Sequence, residues 1–318
     1  MRLKNRPVFT DVYEDLDSFR PEANSVYVFG RSSEERSEHS DTWEQRCHDV
    51  VFVQIIEQTE NHLKYRMAGV EKMARLRSGV ELREFWRAFG RPKAYLDITG
   101  LDHQVWAPLM KSGMSIGLQL RGVYLEPETY RFSPLPREGD IFDLSEKIRG
   151  LSPLPGFASL AEADNEEDVS FVALLGFEGI RLKYCVEAME PPRGKIIPVI
   201  GVPGFKAEYP FYTYDGNRPI LDETGAWANA QFTRANCPFS VFYLLQDIAS
   251  MHARDIIKIA LIGTKPHALG AVLFSLLTPR SVELIYDHPI RKASRTEGIG
   301  RVLLYDLSAV AAPVGSNA

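Results

Sequence analysis

The chain has 318 residues, of which 45% are hydrophobic and 25% are charged, and its formal net charge at pH 7 is −5. This length and balance predict a globular protein with two domains of ordinary size, each with its own hydrophobic core. The negative net charge excludes broad electrostatic binding of an extended nucleic-acid duplex, and only a local basic pocket is compatible with it.

The cysteines and the apolar segments favour a cytoplasmic protein. The chain has 3 cysteines, Cys47, Cys185 and Cys237, and no C-x-x-C pair, which disfavours a disulfide framework or a zinc site. No apolar run approaches the roughly 20 residues that a membrane span needs, and the N-terminus lacks the apolar core of a signal peptide. We therefore expect a cytoplasmic location, no membrane partner, no metal and no cofactor.

Apolar runs and helical spacing alternate along the first half of the chain. In chain order we predict strands at 26–29 and 50–56, a helix within 65–89, a strand at 95–98, a helix from 105 and a strand at 122–127. A proline-rich stretch at 133–155 and an acidic run at 161–168 then interrupt the pattern. We place the domain boundary there, which predicts domains at 1–155 and 156–318.

The second half repeats the alternation. We predict a strand at 169–176, a helix from 180, a strand at 195–201, an aromatic loop at 203–214, a helix at 239–250 and strands at 257–262, 282–287 and 301–306. The tail from 311 is predicted to be disordered. Strands that alternate with helices are typical of parallel sheets with right-handed crossovers.

Two distant segments share one pattern, in which an apolar run leads to a turn with Gly and Thr and then to a His before an apolar helix. An offset of 164 aligns His103 with His267, and it also aligns an alanine and a leucine that follow each histidine. The sequence therefore predicts an α/β protein of two tandem Rossmann-like domains with mostly parallel sheets, related by a pseudo-two-fold axis. The alternative explanation of the similarity is that turns in α/β proteins resemble one another for shared physical reasons, without a duplication.

The turn at Gly263 is the sharpest local signal for ligand binding. Gly263 lets a ligand approach the backbone closely, and Thr264 offers a hydroxyl. Lys265 supplies a charge for phosphate, and His267 supplies a switchable donor near the helix start. These residues predict an anion-binding turn that lacks the spacing of a Walker loop. The alternative is a turn glycine with an exposed lysine and a helix-capping histidine.

Further candidate ligand contacts share a position at or after the end of a predicted strand, where α/β sheets collect ligands: Thr99, Gly100, His103, Arg31, Ser32, Gly176, Glu178, Asp287 and His288. The glycine segments have plain turns as their alternative. Adjacent residues on a strand point to opposite faces, so structural or contact roles for Asp287 and His288 stay open beside acid–base chemistry. The aromatic residues at 209–214 either stack on a base or only pack.

The segment 261–270 resembles the G-[TS]-K turn of the CRISPR-associated Rossmann-fold sensor domains known as CARF. In that family the turn contacts a cyclic oligoadenylate across a two-fold dimer interface. A tandem pair in one chain is similar to the related SAVED arrangement. The resemblance implies ligand contacts at Gly263, Thr264 and Lys265, with Thr99 and Gly100 as the weaker counterparts.

The resemblance also implies unequal half-sites, because Leu101 stands where the first half would need its lysine. A separate effector protein would have to supply the output. We thus predict a nucleotide-binding sensor that recognises a cyclic oligonucleotide or another nucleotide in prokaryotic antiviral defence. Two alternatives stay open: a nucleotide hydrolase or glycosidase that uses Asp287, His288 and His267, and a structural subunit of a defence complex.

Overall fold

The computed structural model describes residues 6–67, 69–137, 140–159 and 168–311. The described chain divides into two compact units. We call the one within residues 9–130 and 296–311 the N unit, and the one within residues 6–8 and 131–295 the C unit. Of the helices in these described ranges, none has the length and apolar character needed to cross a membrane.

The first part of the chain forms seven strands and three helices among the described residues. The strands are β1 (Thr10–Tyr13), β2 (Ser25–Gly30), β3 (Val50–Gln58), β4 (His62–Met67), β5 (Val70–Arg75), β6 (Lys93–Asp97) and β7 (Gln119–Tyr130). The helices are α1 (Ser40–Arg46), α2 (Gly79–Arg87) and α3 (His103–Ser115).

The rest of the chain continues in the same order. The strands are β8 (Phe132–Arg137), β9 (Asp140–Phe142), β10 (Ser145–Ile148), β11 (Ser152–Pro153), β12 (Val169–Leu174), β13 (Ile196–Gly201), β14 (Gln231–Thr233), β15 (Ile256–Leu261), β16 (Val282–Tyr286), β17 (Pro289–Arg291) and β18 (Thr296–Asp306). The helices are α4 (Gly179–Met189), α5 (Tyr209–Thr224), α6 (Pro238–Met251), α7 (Lys265–Leu277) and α8 (Leu307–Ala311).

Each unit contains one large sheet. In the N unit the strand order is β1-β18-β7-β6-β2-β3-β4-β5, and β7, β6, β2 and β3 are parallel to one another. In the C unit the order is β11-β16-β15-β12-β13-β14, and every pair except β11 with β16 is parallel. The prediction of an α/β protein with Rossmann-like, mostly parallel sheets is confirmed.

The four central parallel strands follow the same order in both units. Numbered along the chain within each unit, that order is second, first, third, fourth, as β3-β2-β6-β7 and as β13-β12-β15-β16. In each unit, successive strands are therefore added to one side of the first strand and then to the other, and the point of change lies between the first and third strands. Ligands of open α/β sheets bind at this switch point, outside the carboxyl ends of the strands.

Burial on both faces explains why these strands read as continuous apolar runs. All six residues of β2 are buried, and β12 is buried from its second residue onward. Strands covered by helices on both faces lose the alternation of polar and apolar residues that a solvated sheet shows. Aromatic side chains such as Tyr27, Trp43 and Tyr95 fill the core of the N unit, whereas aliphatic residues dominate that of the C unit.

The predicted helix within 65–89 is wrong for most of its length. Residues 62–67 and 70–75 form the antiparallel pair of β4 and β5, and helix α2 begins only at Gly79, after the Ser78 cap. Leu63 and Tyr65 alternate inward along β4, while Val70 and Met73 are 57% and 61% exposed. The spacing of apolar residues matches a helical stripe, but Val70 and Met73 of that stripe face solvent.

The predicted aromatic loop at 203–214 is also wrong at its end. Helix α5 begins at Tyr209, with Pro210 as its second residue, and ends at the left-handed Gly225. Proline fits this position because the first turn of a helix has no backbone acceptor for its missing N–H. The aromatic residues from Tyr209 onward are therefore held on a helix.

The last strand joins the first sheet. We expected the segment 301–306 to close the second domain, but β18 lies antiparallel between β1 and β7 in the N unit. The division of the chain therefore differs from a single boundary between residues 155 and 156. Residues 161–167 of the acidic run and 312–318 of the tail lie outside the described residues.

Candidate functional site

Paired glycines define the switch point of each unit. Gly30 ends β2 and meets the turn of Gly100, and a Cβ on Gly100 would collide with the carbonyl oxygen of Gly30. In the C unit, a Cβ on Gly176 would lie 2.7 Å from the carbonyl oxygen of Ile262, and one on Gly263 would lie 2.6 Å from that of Leu175. In each unit these glycines let two neighbouring strand-end turns approach each other. The sequence-based interpretation of Gly263 invoked the approach of a ligand instead.

The helices that follow these turns begin in nearly the same way. The cap residue Asp102 has φ −75° and ψ 153°, and the cap residue Thr264 has φ −72° and ψ 151°. If the two cap residues are aligned, His103, the first residue of α3, corresponds to Lys265, the first residue of α7. The offset of 164 that aligns His103 with His267 in sequence does not match their positions in the helices, because His267 is the third residue of α7.

The side chain of Thr264 closes the turn of the C unit from within. Its Oγ1 donates to the carbonyl oxygen of Ala235 at 2.7 Å and accepts from the backbone N–H of His267 at 3.3 Å. The hydroxyl is thus engaged in capping α7 and in tying it to the loop after β14. Lys265 is buried and only 6% exposed, so the alternative of an exposed lysine is wrong.

His267 is fully buried and neutral at pH 7. Its Nε2 lies 3.0 Å from the carbonyl oxygen of Arg234, so Nε2 carries the proton. Burial lowers the pKa of His267 to about 4, against the smaller opposing effect of this hydrogen bond. Within the described part of the chain, Nδ1 of His267 has no hydrogen-bond partner. The cap of the helix is Thr264, so the alternative of a capping histidine is wrong as well.

Asp287 supports the Gly263 turn through an arginine that sequence reasoning missed. Both carboxylate oxygens accept from Arg181, at 2.7 Å from Nε and 2.6 Å from a terminal nitrogen, and Asp287 is fully buried. A third bond joins Arg181 to the carbonyl oxygen of Ile262 at 2.9 Å. Burial opposes the charge of Arg181, but Asp287 outweighs it and raises the pKa of Arg181 above its usual value.

His288 does not form a pair with Asp287. Its backbone is left-handed, with φ 44°, and its Nε2 lies 2.9 Å from Oγ of Ser152. Asp287 points into the protein interior, whereas His288 is half-buried beside β11. The structure therefore does not bring these neighbours together as an acid–base pair.

Glu178 holds the segment between β9 and β10. One carboxylate oxygen accepts from the backbone N–H groups of Leu144 and Ser145 at 2.9 and 2.8 Å, and the other accepts from the Ser145 hydroxyl at 2.7 Å. Beside it, the ring of Phe142 stacks on Phe177 at 4.3 Å. Tyr209 meets Phe177 edge-on at 5.2 Å, so these aromatic residues pack together at this edge of the sheet.

The corresponding turn of the N unit is held by different side chains. Gln58, at the end of β3, donates to the carbonyl oxygen of Gly100 at 3.2 Å and accepts from the backbone N–H of Asp102 at 2.7 Å. The hydroxyl of Thr99 accepts from the backbone N–H of Leu125 at 3.0 Å. Sequence reasoning missed Gln58, although an amide side chain at a strand end next to the switch point was a usable signal.

Asp97 organises a buried polar cluster just before this turn. It accepts from the backbone N–H of Thr99 at 2.8 Å and from the hydroxyl of Tyr27 at 3.0 Å, and Nε2 of His39 lies 3.0 Å from it. Burial favours the neutral acid, but His39 and Thr99 together hold the pKa of Asp97 below its usual value. The cluster fixes β6 against β2 and the segment before α1.

The remaining predicted contacts of the N unit have local partners. Arg31 forms an ion pair with Asp41. The backbone N–H of Ser32 donates to Oγ of Ser37 at 2.9 Å, and the two hydroxyls are 3.1 Å apart. His103 is 2% exposed, with its ring centroid 5.3 Å from that of Trp106.

Two basic side chains lie in the loops at the carboxyl edge of the C-unit sheet. Arg234 follows β14 and is exposed, and Lys206 follows β13 and is half-buried. The loops touch, because the backbone N–H of Ala235 donates to the carbonyl oxygen of Pro203 at 3.1 Å. Across the described ranges, no group of three or more His, Cys, Asp or Glu residues is placed to hold a metal ion.

Comparison with known proteins gives no family for this chain. No family model matches it, and no curated protein matches it either. Among solved structures it is similar to a protein from Pseudomonas aeruginosa UCBPP-PA14 described as a universal stress protein, with 8% identity over 84% of this chain and 94% of that chain. The TM-score of 0.26 is too low to bear on function, so the Rossmann-like fold rests on the strand order itself.

Proposed function

We propose that this protein is a nucleotide-binding sensor whose ligand lies at the carboxyl edge of the C-unit sheet, over the Gly263 turn. Two features of the backbone support this place. The switch point between β12 and β15 is where open α/β sheets bind ligands. The 13-residue helix α7 also begins there, and the N-terminus of a helix favours anionic groups such as phosphate.

The charges at this edge favour an anionic ligand. The side chains of Arg234 and Lys206 form no hydrogen bond or ion pair with any described residue. The carbonyl oxygen of Arg234 contacts His267 in α7, which places its residue beside the helix start. An exposed, unpaired guanidinium beside a helix N-terminus at the switch point is the observation that carries the proposal.

The buried groups His267 and Asp287 favour a protein that binds its ligand without converting it. His267 is neutral and inaccessible at pH 7, and both oxygens of Asp287 are occupied by Arg181. Neither group is therefore positioned to move a proton on a ligand. The resemblance to CARF and SAVED makes a cyclic oligonucleotide the first ligand to test, a role in antiviral defence the setting, and a separate effector the partner.

The test is thermal unfolding of the full chain with cyclic oligonucleotides, linear oligonucleotides and mononucleotides. A ligand that binds only the folded state at about 100 times its Kd stabilises that state by about 2.7 kcal/mol, which raises the melting temperature by several degrees. Arg234→Gln should remove most of this rise. Arg193→Gln, at an exposed arginine before β13 at the opposite edge of the same sheet, should leave it unchanged. No rise with any nucleotide would refute the sensor.

A structural subunit is the second candidate, and the internal contacts of the site favour it. The polar side-chain atoms of Thr264, Glu178 and Asp287 all form hydrogen bonds to neighbouring segments of the same unit. Co-purification from the native host with one stable partner, unaffected by Arg234→Gln and unaccompanied by a nucleotide response, would favour this candidate. If chromatography showed that the protein converts the nucleotides into products, the hydrolase or glycosidase would be favoured instead.

A further inference from the structure

A pocket of about 640 Å³ opens at the amino edge of the N-unit sheet. It lies where α2 and α3 end and where β6 and β7 begin, so it is at the other end of these strands from the Gly100 turn. Its volume falls within the range of small-molecule sites, roughly 300–1,000 Å³. The side chains that decide its chemistry are Arg83, Arg87, Arg91, Trp86, Ile116 and Leu118.

Two of the three arginines in this pocket have no partner of opposite charge within the described ranges. Arg91 is satisfied, because it forms an ion pair with Asp49 at 2.6 Å and donates to Oδ1 of Asn24 at 2.9 Å. The side chains of Arg83 and Arg87 form no hydrogen bond or ion pair with any residue that the structure describes. Among the described residues, no carboxylate side chain lines the pocket.

The positions of Arg83 and Arg87 put two like charges on one face of α2. They are four residues apart on α2, so they project from the same face of the helix and repel each other. An oxyanion between them would relieve that repulsion and would accept from both guanidinium groups. A doubly charged phosphate suits two such donors better than a single charge does.

The floor of the pocket is apolar. Trp86 is 1% exposed, and its indole N–H is engaged with the carbonyl oxygen of Leu109 at 2.9 Å. Ile116 and Leu118 are half-buried beside it. This surface offers contact to a flat apolar group but no hydrogen bond from the indole, which is already used.

We propose that this pocket binds a phosphate monoester of an aromatic compound, with the phosphate between Arg83 and Arg87 and the ring over Ile116 and Leu118. The site is separate from the one at the Gly263 turn and does not rest on the proposed function. Phenyl phosphate is the probe, because it joins the two required groups and nothing else.

The experiment is calorimetric titration of phenyl phosphate into the full chain. Arg83→Gln and Arg87→Gln should each weaken binding about tenfold, because each removes charge-assisted hydrogen bonds to the phosphate. Arg77→Gln changes an exposed arginine just before the same helix and should leave the affinity unchanged. Inorganic phosphate should bind at least tenfold more weakly, because it lacks the ring.

Absence of binding to the unmodified chain would overturn the proposal. Equal weakening by Arg77→Gln, or equal affinity for inorganic phosphate, would overturn it too. Arg87→Lys is the second variant, since it keeps the charge and the helix but loses the planar fork, and it should weaken binding less than Arg87→Gln does. An equal loss in both Arg87 variants, with unchanged melting temperatures, would exclude a charge interaction at this position. The nucleotide response that depends on Arg234 is independent of all these results.

Discussion

The turns at Gly100 in the N unit and at Gly263 in the C unit lead to cap residues of nearly the same backbone conformation, yet different side chains hold the two turns. In the N unit, Gln58 bonds the turn at both Gly100 and Asp102. In the C unit, a buried arginine, Arg181, bonds the carbonyl oxygen just before Gly263. A shared strand order and cap conformation therefore do not produce repeated sites, because the side chains that hold each turn come from other strands and helices.

One ion pair of the C unit is more deeply buried than one of the N unit, although the N unit also has a buried pair of Arg36 with Glu34. Arg181 and Asp287 are 12% and 0% exposed, whereas Arg301, which bonds Glu126 at 2.8 Å in the N unit, is 39% exposed. A charge in the interior is tolerated only with its partner, while an exposed one is solvated by water. The Gly263 turn thus depends on an interaction that fails when either partner is lost.

The largest effect is expected from Asp287→Ala. It leaves the Arg181 guanidinium buried without a counter-charge, and the free energy of unfolding should fall by about 3–5 kcal/mol. Urea denaturation measures the loss, and hydrogen exchange should locate it in β15 and β16. Glu126→Ala in the N unit should lose about 1 kcal/mol, because its arginine reaches solvent. Equal losses would remove the distinction between the two pairs.

The next effect concerns the paired glycines. Gly100→Ala should lower the free energy of unfolding by about 3 kcal/mol, because the new Cβ collides with the Gly30 carbonyl and backbone must move. Gly263→Ala, with its contact at 2.6 Å, should lose about 2 kcal/mol. Gly79→Ala in α2 serves as the control, since its Cβ would meet only the flexible tip of Arg83. If all three variants were equally stable, the close approach of the turns would be wrong.

A specific pH effect is expected from His267 in the C unit. The pKa of His267 is about 4 in the folded protein, below its ordinary value of 6.5, so the unfolded chain binds a proton more readily. The stability from neutral His267 is present above pH 6.5 and is lost as the pH falls, reaching about 3 kcal/mol at pH 4. Urea denaturation at pH 7 and pH 4 should show this extra loss in the native chain and not in His267→Gln. The exposed His48→Gln, as the control, should keep it.

The smallest expected effect tests whether the side chain of Gln58 stabilises the Gly100 turn of the N unit. Gln58→Ala removes both bonds to the turn and should lower the free energy of unfolding by about 1–2 kcal/mol. Gln54→Ala, in the same strand, makes a matched control because no described residue bonds its side chain. Faster hydrogen exchange at Asp102 in Gln58→Ala alone would locate the change. Unchanged exchange there would show that Gln58 does not close the turn.

The sequence predicted the parallel strands better than the elements around them. The runs at 26–29 and 169–176 were found because strands buried on both faces are continuously apolar. The hairpin of β4 and β5 was missed because its apolar residues have helical spacing, although two of them, Val70 and Met73, face solvent. Helix α5 was missed because its aromatic residues and prolines read as a loop.

The candidate site was predicted only in part, for a related reason. Glycines next to strand ends marked the Gly100 and Gly263 turns, since a close approach of two backbones excludes a side chain. Arg181 and Gln58 lie 82 and 42 positions from the turns that they hold. Local pattern holds no information on such distant partners, so these residues were found only from the coordinates.

The sequence by itself determined the α/β class, the central parallel strands and the two glycine turns, because local apolar runs and glycine requirements act within a few residues. Tertiary structure alone decided that β18 returns to the N unit, that Thr264 and Asp287 are used internally, and that Arg83 and Arg87 share a pocket without carboxylates. Those outcomes depend on which distant segments compete for each hydrogen bond and charge, and chain order does not encode that competition locally.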